Sequence, residues 1–300
     1  KRSPAGVFAR GLAMGAADIV PGVSGGTIAL ITGIYEQLLE AIVSADGDAL
    51  SMALNGRWSE LWHRVDGGFL SILLLGILIA IFSMASGIHW LLTHYPQPLW
   101  SFFSGLILIS SVLLIRDEVT LDSIDCLAVF TFGVCIAVGA VLMPPVSFLV
   151  GLPGLFFAGA IAICAMILPG ISGSFLLVLM GMYEQVLSAV KTLQVTELLV
   201  LAAGCVTGLL LFARLLQRCL QRYRALAMAF LSGVLMGSLV AVWPWRQEVL
   251  LNTAAGAISA SRPVLPSTVT DAQLSACFGA CLIGCFFVWG TQAFASRRGL

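Results

Sequence analysis

The sequence predicts an all-α protein that crosses the membrane several times and is built from two related halves. Three observations support this prediction: a strongly apolar composition, a series of long uncharged segments, and one unusual phrase that occurs twice. Of 300 residues, 59% are hydrophobic and 10% are charged, and the mean hydropathy is +1.02. Because a soluble domain carries about 25% charged residues, this composition indicates a protein that is solvated mainly by lipid.

The first half, residues 1–150, is predicted to open with a re-entrant helical hairpin at about 3–44. Apolar segments follow at about 69–92, 99–115 and 126–143. A helix needs roughly 17–25 apolar residues to cross about 30 Å of hydrocarbon, so each segment is predicted to be a transmembrane helix.

The second half, residues 151–300, is predicted to repeat this order. A second re-entrant hairpin is expected at about 152–190, and transmembrane helices are expected at about 198–218, 225–243 and 272–295. The apolar runs again approach the length that one crossing requires.

An internal alignment supports the division into halves. Gly11–Ile42 aligns without gaps on Gly159–Val190, with 13 of 32 positions identical. The alignment resumes after a loop that is 20 residues longer in the first half. The last helices align through FGVC at Phe132–Cys135 and FGAC at Phe278–Cys281. Self-similarity on this scale indicates a duplicated unit.

The distribution of positive charge favours hairpins over full crossings at the start of each half. With hairpins and three crossings per half, one side of the membrane carries twelve of the fifteen Lys and Arg residues. With four crossings per half, the split is nine against six. The positive-inside rule therefore favours hairpins and predicts that both termini are cytoplasmic. Because three is an odd number of crossings, the second half is expected to be inverted relative to the first.

The repeated phrase reads DIVPGVSGGTIALITGIYEQ from Asp18 and MILPGISGSFLLVLMGMYEQ from Met166. In each copy, proline ends one helix, glycine permits a tight reversal, and serine is expected to cap the next helix. The residues expected to shape the two tips are Pro21, Gly22, Pro169 and Gly170. Irregular backbone at membrane depth is tolerated only when it is buried in protein or lines a wet cavity.

Two interpretations of the tips remain open from the residues alone. Converging helix N-termini with free amides, glycines and hydroxyls would bind an anion such as phosphate or carboxylate. Alternatively, the small residues only allow the two hairpins to pack closely.

Three carboxylates and one arginine accompany the phrase. Asp18 lies just before the first tip, and Glu36 and Glu184 each lie twelve residues after a tip serine. Ionisable groups in or near hydrocarbon are often functional, so these residues act either as proton-linked gates or as structural braces. Arg10, on the first arm, is expected to meet either Glu36 or an anionic ligand.

An enzyme is not expected. GVSGG and GISGS are reminiscent of the G-x-S-G segment of intramembrane serine proteases, but a serine nucleophile needs a nearby general base. The three histidines, His63, His89 and His94, all fall outside the predicted midplane. The sequence contains no Walker A lysine motif and no H-E-x-x-H zinc motif. We therefore expect no catalytic residues, no metal, no cofactor and no nucleic-acid partner.

A family resemblance rests on the same residues. MGAADIVPGVSGGTIALITGIYEQLL (Met14–Leu39) and ILPGISGSFLLVLMGMYEQVL (Ile167–Leu187) resemble the two signature segments of the bacterial polyprenyl-phosphate transporters, formerly a family of unknown function. The resemblance implies a lipid flippase of the bacterial inner membrane. Such a protein recycles undecaprenyl phosphate from the outer to the inner leaflet for cell wall biogenesis.

If the substrate is the one that the resemblance implies, the chemistry of the two tips suggests a hypothesis for where it binds. The phosphate head of undecaprenyl phosphate, or of a related polyprenyl phosphate, is expected at the midplane, held by the two hairpin tips, while membrane lipids surround the tail. The residues expected to hold the phosphate are Ser24, Gly25, Gly26, Thr27, Ser172, Gly173, Ser174 and Arg10. Asp18, Glu36 and Glu184 are expected to respond to protonation. A small-anion transporter or channel that uses the same tips is the alternative, and the sequence leaves open whether the chain forms a homo-oligomer.

Overall fold

The computed structural model describes residues 3–19, 24–118, 123–143, 151–253, 256–265 and 271–297. The helices of the first half are α1 Pro4–Asp18, α2 Gly25–Ile31, α3 Tyr35–Val43, α4 Gly47–Leu54, α5 Trp58–Arg64, α6 Gly67–His94, α7 Pro96–Glu118 and α8 Ile124–Leu142. The helices of the second half are α9 Gly151–Ile167, α10 Gly173–Leu179, α11 Tyr183–Lys191, α12 Val195–Arg222, α13 Arg224–Gly237 and α14 Asp271–Arg297.

Five helices of the described ranges are long and apolar enough to cross a membrane. They are α6, α7, α8, α12 and α14. These five correspond to predicted crossings, each with ends extended by a few residues at most, and they make this chain an integral membrane protein.

The sixth predicted crossing, 225–243, is shorter than expected. Helix α13 ends at Gly237 and a single 3-10 turn, Ser238–Val240, follows it. Fourteen helical residues span only about 21 Å. Pro244 disfavours helical geometry at the preceding residue, which helps to explain why the chain does not continue as a helix through Trp243.

An antiparallel ribbon departs from the all-α prediction. Strands β1 Arg246–Thr253 and β2 Gly256–Pro263 pair with Arg246 opposite Pro263 and Thr253 opposite Gly256. The ribbon lies in the long connection between α13 and α14, where no apolar helical pattern was present. The Trp243 indole N–H donates to the Val264 carbonyl oxygen at 2.9 Å and closes the base of the ribbon.

Each predicted hairpin has one straight arm and one broken arm. The straight arms are α1 and α9, whereas the second arm of the first hairpin divides into α2 and α3, which are bent by 117°. The break is at Gly33, with φ of +70°, and its counterpart Gly181 has φ of +66°. The second arm of the hairpin predicted at about 3–44 is therefore not one continuous helix. The positive φ that only glycine adopts readily explains the break.

Helix pairs pack through glycine at corresponding places in the two halves. Helix α1 packs against α6, and α9 packs against α12. A Cβ atom at Gly11 would overlap the Leu73 carbonyl oxygen, and one at Gly159, 148 positions later, would overlap the Leu201 oxygen. Small residues allow this close approach of helix backbones within a membrane.

The remaining long helices pair across the two halves, α7 with α14 and α8 with α13. The halves therefore share an apolar core, in which Leu231, Val234 and Leu235 of α13 are fully buried. The two halves, which meet at the predicted boundary at 150, therefore pack against each other and do not form separate domains.

The last helices align differently from the sequence prediction. A Cβ atom at Gly133 would overlap the Phe230 carbonyl oxygen, and one at Gly284 would overlap the Phe102 oxygen. Gly279, which the FGVC–FGAC alignment matched to Gly133, has open space around it. The packing therefore makes Gly133 of α8 equivalent to Gly284 of α14, an offset of 151 residues. The predicted offset of 146 residues is wrong, because it matched identical residue types and not the glycines that contact a neighbouring helix.

Candidate functional site

Residues of the two copies of the repeated phrase contact each other. The Ser24 hydroxyl donates to the Met166 carbonyl oxygen at 3.1 Å, and the Gly170 N–H donates to Thr27 Oγ1 at 2.8 Å. Ser24 and Thr27 are buried. Residues that are 142 and 143 positions apart in the sequence therefore contact each other.

A third contact continues this junction. The Tyr35 hydroxyl donates to the Ile167 carbonyl oxygen at 2.9 Å, and the Tyr35 side chain is buried. The carbonyl groups of Met166 and Ile167 lie at the C-terminal end of α9, where helical carbonyls lack partners within the helix. Side chains of the first hairpin supply those partners.

The first tip satisfies its own amides. The Gly25 N–H donates to Asp18 Oδ1 at 2.6 Å, and the Gly26 N–H donates to Ser24 Oγ at 3.1 Å. Ser24 is therefore the N-cap of α2, as predicted. The expectation of free amides at this tip is wrong for Gly25 and Gly26, because a carboxylate and a hydroxyl of the same hairpin already accept from them.

The second tip differs in a way that the sequence indicates. Met166 stands where the first half has Asp18, and Ser172, at the N-cap position of α10, makes no capping hydrogen bond. The Ser172 and Ser174 hydroxyls lie 2.9 Å apart and bond to each other. Gly173 is buried, with the Met166 side chain against it.

A small recess lies beside the second tip. Gly170, Ile171 and Ser172 line one side, and Ala137, Val141 and Ala241 line the other. Ser172 is half-buried and Ser174 is exposed, so hydroxyl groups are accessible at this tip while the first tip is closed.

The glycine of the second Pro-Gly pair has the conformation expected of a tight reversal. Gly170 has φ of +86°, and a Cβ atom there would lie 2.6 Å from Ser238 Oγ. Pro169 is buried beside it. Pro21 and Gly22, the corresponding residues of the first tip, lie outside the described residues.

The charged residues are placed away from the junction of the tips, except for Asp18. The Arg10 guanidinium donates to the Thr32 carbonyl oxygen at 3.2 Å and to the Gly6 oxygen at 3.0 Å, so it contacts the far end of α2. Glu36 pairs with Arg224 at 2.8 Å, and both side chains are half-exposed. The side chain of Glu184, in the first turn of α11, lies outside the described residues.

Tyr35 is the residue that sequence reasoning placed least well. It was not among the expected site residues, yet its hydroxyl reaches the opposite hairpin. The available signal was its recurrence as Tyr183 in the second copy of the phrase, and Tyr183 is 39% exposed.

These features define a class: an integral membrane protein in which a broken helical element of the first half, α2 and α3, meets the C-terminal end of α9 in the second half at a polar junction. Broken helical elements of this kind occur in several transporter folds. The chain belongs to the undecaprenyl phosphate translocase-like family, which it matches over residues 14–260. It is 45% identical over 242 residues to the polyprenyl-phosphate transporter of Vibrio cholerae serotype O1, covering 81% of this chain and 78% of that protein.

A second relative is more distant. The chain is 31% identical over 256 residues to the polyprenyl-phosphate transporter of Staphylococcus aureus, covering 78% of this chain and 84% of that protein. No solved structure matched the chain. The predicted family membership is therefore confirmed by sequence comparison.

Proposed function

We propose that this protein is a flippase that returns undecaprenyl phosphate from the outer to the inner leaflet of the bacterial cytoplasmic membrane. Its relatives in two bacteria are named polyprenyl-phosphate transporters, which supports a polyprenyl phosphate as the substrate. The observation that carries the proposal is the contact of the two tips, Ser24 with Met166 and Thr27 with Gly170. An anionic head that crosses hydrocarbon needs such a polar site, while its tail stays in lipid.

The second tip is the better candidate for first contact with the phosphate. The Ser172 and Ser174 hydroxyls bond only to each other among the contacts described, and Ser172 borders the recess. Hydroxyl groups and the amides of Gly173 and Ser174 would replace water around the head. At the first tip, a phosphate would have to displace the Asp18 carboxylate from the Gly25 N–H.

This competition provides a physical route for proton coupling. Asp18 and a phosphate are both anions that would accept from the same amides, so protonation of Asp18 would weaken its hold and favour the substrate. We assign Glu36 and Glu184 a secondary gating role, since Glu36 already pairs with Arg224. Arg10 contributes positive charge on α1, the helix that also carries Asp18.

The architecture in the membrane follows the charge pattern. We propose two inverted-topology repeats with re-entrant hairpins and with both termini in the cytoplasm. The recurring glycine contacts at Gly11 and Gly159 support equivalent halves. In this structure the first tip is closed and the second tip is accessible. If the two halves exchanged these conformations, the site would be exposed alternately to the two sides of the membrane.

Ligand-induced thermal stabilisation tests the proposal. The purified protein is heated with undecaprenyl phosphate, undecaprenyl pyrophosphate, neutral undecaprenol or inorganic phosphate. A ligand at 100 times its Kd adds about 2.7 kcal/mol to the unfolding free energy, which is a measurable shift. We expect selective stabilisation by the monophosphate lipid.

Two variants test whether the serines of the second tip are responsible for the stabilisation by the lipid. Ser172→Ala combined with Ser174→Ala should abolish the lipid-induced shift, whereas Ser83→Ala, whose hydroxyl bonds only within exposed α6, should retain it. An equal response to inorganic phosphate would instead support a small-anion pathway. No response to the lipid would contradict the proposal.

A further inference from the structure

The first half contains an insertion that the second half lacks. Helices α4 and α5 lie between α3 and α6, whereas α11 and α12 of the second half are joined by only three residues. This helical pair accounts for the longer loop of the first half. It contributes no residue to the junction of the tips.

This helical pair carries large apolar side chains that are unusually exposed. Leu50 and Leu54 follow each other at i, i+4 on α4, with 61% and 80% of their surface exposed. Trp58 and Trp62 do the same on α5, with 65% and 52% exposed. Four large apolar side chains concentrated in so short a segment mark an interaction surface.

Ion pairs hold the two helices together. Arg64 pairs with Asp46 at 2.6 Å and with Asp48 at 3.3 Å, which ties the end of α5 to the start of α4. Asp46 also caps α4 by accepting from the Ala49 N–H at 3.1 Å. The Arg64 guanidinium lowers the pKa of the Asp46 carboxyl, so this clamp is fully charged at neutral pH. On α5, Arg57 pairs with Glu60.

The chain fixes where this pair lies relative to the bilayer. Helix α5 ends at Arg64 and membrane-spanning α6 begins at Gly67, so the two are separated by two residues. The Trp62 indole packs directly on Gly67. Gln37 of α3 donates to Asp66 at 2.9 Å and holds the connection against the first hairpin.

We propose that α4 and α5 form an amphipathic anchor that docks on the lipid headgroup region of the bilayer, with Leu50, Leu54, Trp58 and Trp62 inserted. Tryptophan is enriched at this interface, because one edge of the indole is apolar and the other is polar. A short helix with leucine and tryptophan on one face and charges elsewhere lies in the interface plane. The lipid surface, rather than another protein, is favoured because the anchor adjoins the first turn of α6. The anchor holds the first hairpin at a fixed depth.

Tryptophan quenching in the full-length protein tests this inference. The wild type and the Trp58→Phe, Trp62→Phe double variant are reconstituted at one copy per lipid nanodisc, and their emission spectra are subtracted. The difference reports only the two anchor indoles, and phenylalanine preserves the apolar surface. We expect blue-shifted difference emission that is quenched mostly by lipids brominated near the headgroup end of their chains and little by aqueous iodide.

Two results would overturn the inference. Red-shifted difference emission that iodide quenches would show that the indoles face water. Blue-shifted emission that resists both quenchers would show that protein covers them. As a further check, Trp58→Glu with Trp62→Glu should lower the bromolipid quenching of an indole placed at Leu54, whereas Ser59→Glu should not.

Discussion

At Tyr35, one hydroxyl group links the two copies of the repeated phrase. Because the hydroxyl and its acceptor, the Ile167 carbonyl, are both withdrawn from solvent, Tyr35→Phe leaves a buried acceptor without its partner. We expect the variant to lose about 1–3 kcal/mol of unfolding free energy. Chemical denaturation in detergent measures this loss.

The second half supplies the matched control. Tyr183→Phe removes the equivalent hydroxyl from a side chain that is 39% exposed, so it should change stability by less than the Tyr35 variant. Equal losses for the two variants would contradict the structural role given to Tyr35.

Asp18 is the carboxylate that we propose to respond to pH. Asp18→Asn keeps an oxygen that can accept from the Gly25 N–H but removes the titratable charge. If Asp18 competes with the phosphate, the variant should transport at a rate that varies less with pH than the wild-type rate. Transport into vesicles across a pH series measures this.

A carboxylate at the end of a crossing helix is the control for Asp18. Asp125→Asn, in the exposed first turn of α8, should keep the wild-type pH profile. An Asp18→Asn profile that matches the wild type would assign proton coupling elsewhere.

Sequence reasoning at this scale succeeded where chemistry is local and failed where it depends on distant neighbours. Ser24 was predicted as an N-cap because the residues that follow it form a helix, and the structure confirms this. That its hydroxyl also reaches Met166 depends on a contact between hairpins, which no local pattern encodes. The occupied amide of Gly25 depends in the same way on the position of Asp18, which belongs to the preceding helix.

Among the elements, helix pairs held by glycine make the sharpest test. On α14, a Cβ atom at Gly284 would overlap the backbone of α7, whereas Gly279 faces open space. Gly284→Ala should therefore separate the two helices and destabilise the fold, by about 1–3 kcal/mol for an overpacked site. Gly279→Ala should be neutral or stabilising by up to about 1 kcal/mol, because alanine favours helix.

Thermal unfolding of the two variants distinguishes the two alignments of the last helices. A destabilised Gly279→Ala with an unaffected Gly284→Ala would restore the offset of 146 and refute the packing described. This comparison also needs no knowledge of the substrate.

The long helices were predictable because length and hydropathy decide whether a segment can cross a bilayer. The break at Gly33 and the end of α13 at Gly237 were not, because apolar residues continue past both points. Hydropathy does not distinguish a helix from a bend with the same side chains. The local sequence signal for the break was a glycine at the same position of both halves, Gly33 and Gly181.

At the scale of the whole molecule, the sides of the membrane on which two loops lie distinguish re-entrant hairpins from full crossings. Asn55 lies between α4 and α5, and Thr192 follows α11. With re-entrant hairpins, these residues lie on opposite sides of the membrane. With full crossings in place of hairpins, they lie on the same side.

Cysteine labelling in intact cells separates these arrangements. A membrane-impermeant thiol reagent should label Thr192→Cys but not Asn55→Cys, above the background of the native cysteines in the wild type. Labelling of both variants, or of neither, would contradict inverted repeats with re-entrant hairpins.

The most direct test of the central claim is transport by the purified protein. Vesicles carry labelled undecaprenyl phosphate in the outer leaflet, and an impermeant phosphatase added outside reports how much of it remains accessible. We predict time-dependent protection by the wild type and by Ser83→Ala, and no protection by the Ser172→Ala, Ser174→Ala double variant. Wild-type vesicles that behave like protein-free vesicles would contradict the claim that this protein carries polyprenyl phosphate across the membrane.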